Sequence, residues 1–187
     1  MLTLRTARLV LDAPRESDIP AVLAACQDPR TQRWVPLPAP YTRENAEFFV
    51  RSYCPHGEAS GRYRVWALRT DPTAPLIGVV ELRRDEAPCS ASVGCWLDPA
   101  ARGSGYMREA LEAVAAYAFD PEGLGLERLR WEYLPGNDES RRLAESIGFA
   151  FDPADRREVS FRGEAHVAQV GFLRADRLLG ADGPAHR

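Results

Sequence analysis

The chain contains no lysine: all 24 of its basic residues are arginine. A phosphate loop of the Gly-Lys-Ser/Thr kind is thereby excluded. Cysteine is scarce and scattered, because Cys26, Cys54, Cys89 and Cys95 form no C-x-x-C pair, and Cys54 with His56 supplies too few ligands for a metal site. No metal is expected, and the cysteines read as reduced thiols of a cytoplasmic protein. Apolar runs fall well short of the roughly 20 residues that cross a bilayer, so no membrane association is expected. The start lacks the charged and then apolar pattern of a secretory leader. An excess of basic charge is missing too: the net charge of −3 and pI near 5.7 argue against nucleic acid as a partner. His56 and His166 stand in no supporting pattern.

What is present is ordinary globular composition, 45% hydrophobic and 27% charged over 187 residues, enough for one domain with a buried core. The expectation is a single domain over 1–176 followed by a mobile tail over 177–187. Leucines 2, 4, 9 and 11 with Val10 suggest a first strand. Ser17 caps a helix with apolar residues at Ile19, Val22, Leu23 and Cys26. Prolines 36, 38 and 40 force a loop between Trp34 and Tyr41, after which Thr42 caps a second helix to about Tyr53. Strand patterns follow at 63–68, 76–82 and 92–97, a helix at 105–119, a strand at 129–134, a helix opened by Asn137 or Asp138 and closed by Gly148, and strands at 158–162 and 165–173. This order gives an α/β fold with a mixed, mostly antiparallel sheet of about seven strands and about four helices.

The densest chemical signal lies where the strand at 92–97 runs into Arg102-Gly103-Ser104-Gly105-Tyr106-Met107 and then a helix. Glycines in such a turn let successive backbone N–H groups point the same way, and the helix start behind them adds free donors and partial positive charge. A phosphate or pyrophosphate is the natural guest. The spacing is not the dinucleotide G-x-G-x-x-G.

It resembles instead the pyrophosphate loop of the GNAT superfamily of acetyltransferases, in the form found in the branch typified by the ribosomal-protein N-terminal acetyltransferases RimJ and RimL. Met107 departs from the usual Gly or Ala. Further pieces of the resemblance are Thr6–Leu11, Val93–Leu97, Asn137–Phe149 and the end of the last strand at Phe172-Leu173-Arg174, so it spans nearly the whole chain and includes the order of elements. The resemblance implies an acetyl-CoA-dependent N-acetyltransferase in which an amine attacks the thioester directly. Arg102, Gly103, Ser104, Gly105, Tyr106 and Met107 would hold the pyrophosphate, with the Arg102 side chain or its backbone at the entrance. Trp96 and Leu97 would offer main-chain donors to the pantetheine arm and thioester carbonyl, with core packing as the alternative for Trp96. Asn137 would contact the pantetheine arm, and it also suits a helix N-cap.

The tyrosine that many GNAT enzymes place seven residues after this asparagine, as general acid, is here Ala144. The branch suggests Ser140 as its substitute, though a serine on a first helical turn also satisfies backbone. Glu81 is the first candidate for a general base and Glu132 the second, and either equally suits a salt-bridged sheet residue. Alternation puts Glu81 on the face of Val79, opposite Val80 and Leu82. Trp34 and Tyr41, in the first loop, suit the walls of an acceptor pocket, or in the case of Trp34 an anchor on the sheet. The acceptor is a protein N-terminal amine or a small amine. The alternative is an acyl-CoA sensor or interaction module that retained the cradle without the chemistry, kept open by Ala144. A homodimer fits the branch.

Overall fold

The computed structural model describes residues 2–178; residues 179–187, most of the expected tail, lie outside the described residues. One eight-stranded sheet runs in the order β1-β2-β3-β4-β5-β6-β8-β7. The strands are β1 (Leu4–Arg5), β2 (Val10–Asp12), β3 (Tyr63–Arg69), β4 (Gly78–Arg84), β5 (Ser90–Leu97), β6 (Arg128–Tyr133), β7 (Ala150–Phe161) and β8 (Glu164–Arg174). All neighbours are antiparallel except β5 and β6.

The eighth strand corrects the expected seven. The first strand is two, because the Leu9 N–H donates to Thr6 Oγ1 at 2.9 Å and the Thr6 N–H to the Leu9 carbonyl at 3.0 Å, closing a turn between β1 and β2. The penultimate strand is also far longer than 158–162. It runs from Ala150 with an irregularity between Phe151 and Arg156. Arg162 and Gly163, at φ 54° and 85°, make the turn into β8, the left-handed pair that matches the twist of a two-residue hairpin.

The helices are α1 (Ile19–Gln27), α2 (Pro29–Trp34), α3 (Arg43–Phe48), α4 (Cys54–Ser60), α5 (Tyr106–Phe119), α6 (Asp138–Ser146) and α7 (Ala175–Leu178). Three depart from expectation, the shortest being α7, which follows β8 where no helix was read. Helix α2 is additional: Asp28 accepts from the Thr31 N–H at 2.9 Å and Pro29 occupies its first turn, a start signal in its own right. The helix capped by Thr42 does not stop near Tyr53. A π turn over Phe49–Tyr53 carries it into α4, with the Cys54 N–H reaching back to the Phe49 carbonyl. Pro55 has no N–H to give Arg51, and this widened turn accommodates the missing bond.

The core divides by sheet face. Val80, Leu82, Leu111, Val114, Leu129, Trp131, Ala144 and Phe149 pack on the α5–α6 side, while Ile19, Val22, Tyr41, Val65, Val79 and Trp96 pack under α1–α4. Arg69, fully buried, pairs with Asp18 at 2.5 Å and Asp12 at 2.8 Å, pinning the start of α1 to β3. Among the described residues no helix is long and apolar enough to cross a membrane.

Candidate active site

The site begins with a break in the sheet. β5 and β6 pair only over Ser90–Ser92 and Arg128–Arg130, then part, and a cleft of about 850 Å³ opens between Val93–Leu97 on one wall and Trp131–Leu134 on the other. The phase of the β4–β5 ladder decides which groups enter it. Asp85 donates its N–H to Ser90 O at 2.9 Å and Asp98 to Ile77 O at 2.8 Å. In an antiparallel ladder the direction alternates, so Ser92, Gly94 and Trp96 bond toward β4 while Val93, Cys95 and Leu97 turn N–H and C=O into the gap.

Of the two expected main-chain donors, Leu97 therefore faces the gap and Trp96 does not. The Trp96 side chain is buried in the core beneath α1–α4. Cys95 was not expected to offer backbone here. Its side chain packs toward the α5 face, and burial pushes its thiol up to about 12, which leaves it protonated and unsuited to nucleophilic attack.

At the end of β5, Pro99–Ala101 forms a 3-10 turn and Gly105 the N-cap of α5. Gly103 and Gly105 both have φ of 78°, a conformation that costs a side-chain-bearing residue about 1–2 kcal/mol. The backbone N–H groups of Gly103, Ser104, Gly105, Tyr106 and Met107 have no acceptor among the described residues. The cradle is braced from the N-terminal hairpin: Arg8 donates to the Ser104 carbonyl at 2.9 Å and pairs with Glu109 at 2.6 Å, and its guanidinium lies 4.9 Å from the centre of the Tyr106 ring. Thr6 donates to Glu109 at 2.5 Å. Met107 is buried and helps floor the cleft.

Arg102 is placed differently from its expected contact with phosphate. Its side chain donates to Asp28 at 2.7 Å, Thr31 at 3.0 Å and the Leu97 carbonyl at 3.3 Å, and its N–H reaches Pro99 O at 3.4 Å. It ties the cradle to α2. Burial works to raise Asp28, but the hydrogen bonds from Arg102 and Thr31 outweigh it and hold the carboxyl below its usual range.

On the opposite wall, Asn137 caps α6, its Oδ1 accepting from the Ser140 N–H at 3.3 Å, while its amide NH₂ has no partner among the described residues. The Ser140 hydroxyl lines the cleft and accepts from the Trp131 indole at 2.9 Å. That contact uses an oxygen lone pair and leaves the hydroxyl proton available. Ala144, where the tyrosine would stand, is fully buried in the core.

Glu81 and Glu132 both line the cleft. Glu81 accepts on Oε1 alone, from Tyr53 at 2.8 Å and from Arg83 at 2.8 and 3.1 Å. Glu132 likewise uses Oε1, for Arg130 and for Arg157 at 3.4 Å. Both are ion-paired, and each keeps one oxygen unpaired among the described residues. Gly94 faces Glu81 across the β4–β5 ladder, where an added Cβ would meet only the Glu81 Cβ at 3.9 Å.

Helix α2 lines the cleft and is tied to elements on both sides of it. Arg30 pairs with Glu139 on α6, Asp28 and Thr31 hold Arg102, and Arg162 at the tip of the β7–β8 hairpin donates to the carbonyls of Gln32 and Leu37. Trp34 lines the cleft and its ring comes within 3.6 Å of the position a Cβ on Gly136 would take. Tyr41 also touches the cleft but is 4% exposed and belongs to the core. The mouth beyond is apolar, with Leu37, Phe48, Phe49, Val159 and Phe161.

Residues 8–150 match the family described as the acetyltransferase (GNAT) domain. The probable N-acetyltransferase YjcK of Bacillus subtilis is 32% identical over 132 residues, covering 70% of this chain and 71% of that protein. Among solved structures, RimL, the ribosomal L7/L12 α-N-protein acetyltransferase in complex with coenzyme A, superposes with a TM-score of 0.78 at 20% identity, over 94% of this chain and all of that one. Mycobacterium smegmatis RimJ in complex with CoA-disulfide gives 0.78 at 19% identity, over 95% of this chain and 88% of that one.

Proposed function

The chain belongs to the GNAT acetyltransferase family and is an N-acetyltransferase, and from that premise we infer that it moves the acetyl group of acetyl-CoA to a primary amine by direct attack within one cleft. The observation that carries this reading is a cleft between parted strands that is lined by Gly103 and Met107 of the open N–H cradle, by Ser140 and by two half-free carboxylates. The cradle suits a pyrophosphate, because several unpaired N–H groups at a helix start answer a compact anion. The gap suits an amide-bearing arm, since Cys95 and Leu97 offer strand-like backbone and Asn137 a free amide. Acetyl-CoA supplies the activated acyl group as a thioester.

The protein's own part is positioning and proton transfer. The incoming amine gives its proton to Glu81 Oε2, directly or through a water, as its nitrogen bonds to the acyl carbon. The carbon–sulfur bond breaks, the departing thiolate takes the Ser140 hydroxyl proton, and the cycle closes as Glu81 releases its proton to solvent and Ser140 regains one from it. Glu132 stands second as base. The acceptor class is a protein N-terminal amine, by likeness to RimL, with small amines next. Trp34 and the apolar mouth wall the acceptor side.

Calorimetry with acetyl-CoA, followed by free-thiol release across a panel of N-terminal peptides and small amines, tests the reading. Binding with release supports it and identifies the acceptor class. Binding without release across the panel would favour a non-catalytic acyl-CoA sensor, and absent binding would overturn the site.

A further inference from the structure

Four side chains on the α1–α4 face of the sheet form an assembly that neither acetyl-CoA binding nor the pairing of strands accounts for. Tyr53 ends the π turn. Its ring stacks on Tyr63 at 4.4 Å and lies 5.8 Å from Phe49, and the Tyr63 hydroxyl donates to the Tyr53 carbonyl at 3.0 Å. Arg83, the cross-strand partner of Tyr63, lies with its guanidinium 5.4 Å from the centre of the same ring. Glu81 stands two residues from Arg83 on the same strand face. Tyr63 thus fixes both Tyr53 and Arg83 around one carboxylate.

The hydrogen bonds are unequal in an informative way. Arg83 Nη2 donates to Tyr53 Oη at 2.5 Å and to Glu81 Oε1 at 2.8 Å, and the Tyr53 hydroxyl donates to that same Oε1 at 2.8 Å. A guanidinium beside a carboxylate ordinarily settles as a fork over both oxygens. Here both donors of such a fork, Nε at 3.1 Å and Nη2 at 2.8 Å, reach Oε1 alone, and the phenol oxygen holds Nη2 through its second hydrogen. Burial, reinforced by the neighbouring Glu81 charge, pushes the Tyr53 hydroxyl well above an ordinary phenol, so it remains a donor. Every contact falls on Oε1, and Oε2 has no partner among the described residues.

We propose that Tyr53 is a positioning residue for Glu81: by holding Arg83 away from a two-oxygen pair, its hydroxyl keeps Oε2 free to receive the acceptor amine's proton. The π turn has a role in this, since it is the local widening that ends on Tyr53. The proposal rests on the reading of Glu81 as the proton acceptor and goes beyond it by naming what keeps that carboxylate available beside an arginine.

The test combines a crystal structure of the Tyr53→Phe variant with kinetics of Tyr53→Phe, Arg83→Gln, the double variant and Glu81→Gln, using acetyl-CoA and a serine-initiated hexapeptide. In the variant structure Arg83 is expected on both Glu81 oxygens; an Oε2 still clear of Arg83 overturns the proposal whatever the kinetics show. Tyr53→Phe is expected to lower kcat about tenfold with acetyl-CoA affinity within twofold of wild type. The double variant should recover to within about threefold of wild type, because removing the arginine frees the oxygen again. A purely structural tyrosine would instead give a double variant no better than the single one, which refutes the proposal. Full activity of Glu81→Gln would remove the base reading itself, whereas an impaired Glu81→Gln beside an unimpaired Tyr53→Phe would remove only the positioning role. Should the wild type leave the hexapeptide unacetylated, that acceptor fails, and the variant structure alone still decides on the clamp.

Discussion

Ser140→Ala separates the contact that this hydroxyl makes with Trp131 from the proton transfer proposed for it. The Ser140 oxygen accepts from the Trp131 indole at 2.9 Å, and Trp131 is 3% exposed, so the variant leaves a buried N–H without its partner. Such an orphan costs about 1–3 kcal/mol, offset by roughly 0.5 kcal/mol from the better helix propensity of alanine in α6. A net loss of about 0.5–2.5 kcal/mol lowers the unfolding midpoint by about 1–10 °C in a chain of this size. The catalytic loss is bounded by the leaving group. A thiol of pKa about 8.5 lies roughly 1.5 units above neutral pH, so its protonation is worth at most about 2 kcal/mol, or near thirtyfold. A drop of about tenfold in kcat at pH 7, with unchanged acetyl-CoA affinity by calorimetry, is expected. Trp131→Phe supplies the control, since it keeps the hydroxyl and should lose stability more than turnover. A Ser140→Ala enzyme that melts early but turns over at the wild-type rate would show that Ser140 fastens α6 to β6 and takes no part in proton transfer.

Gly105→Glu should abolish acetyl-CoA binding in calorimetry, because it adds a carboxylate among open N–H donors at a φ of 78°. Gly105→Ala, which carries the backbone strain without the charge, should retain most of the affinity, and equal loss in both would refute the anion cradle. Glu81→Gln should cut turnover about tenfold and leave an acidic limb that follows the acceptor amine alone; a pH–rate profile superimposable on wild type would return Glu81 to a structural role. Burial tends to raise Asp18, but hydrogen bonds from Arg69 and the N–H groups of Arg15 and Leu76 prevail and hold its carboxyl below the usual range. A depressed native pKa stabilises above the unfolded value and loses that contribution as pH falls through the folded one. Asp18→Asn should therefore cost about 3 kcal/mol at pH 7 and progressively less below pH 4 in denaturant titrations, and a pH-independent deficit would contradict the ion-pair assignment.

The helices that carry the cradle and the cap were legible because their signals are local. Gly105 before an amphipathic run and Asn137 before Asp138 mark starts that need no tertiary partner. The face of Glu81 was legible too, since a period of two separates Val79 from Val80 and Leu82. What escaped depends on partners distant in the chain. Arg102 reads as a phosphate ligand until Asp28 and Thr31, on a helix opened by Asp28-Pro29, are seen to take its guanidinium. Trp96 reads as a backbone donor until the ladder phase, set by Asp85 and Asp98, turns its N–H toward β4. The π turn was hidden because its cause, Pro55, lies beyond the point where the helix was expected to end.

The surroundings of the two wall carboxylates bear on which amine the cleft serves. Freeing the lone pair of an α-amine of pKa about 7.8 costs about 1 kcal/mol at neutral pH, whereas a lysine side chain at about 10.4 requires 4–5 kcal/mol. An ammonium arriving with its charge intact needs unopposed negative charge to hold it while it loses the proton. Neither wall offers that: Glu81 has Arg83 on one oxygen, and Glu132 has Arg130 and Arg157. A guanidinium beside each carboxylate offsets the attraction for a second cation. Each free oxygen can still accept a hydrogen bond from an amine already close to neutral. With Glu81 as the proposed proton acceptor, the same arginines would favour α-amines over lysine side chains, because they offset the attraction for a second cation.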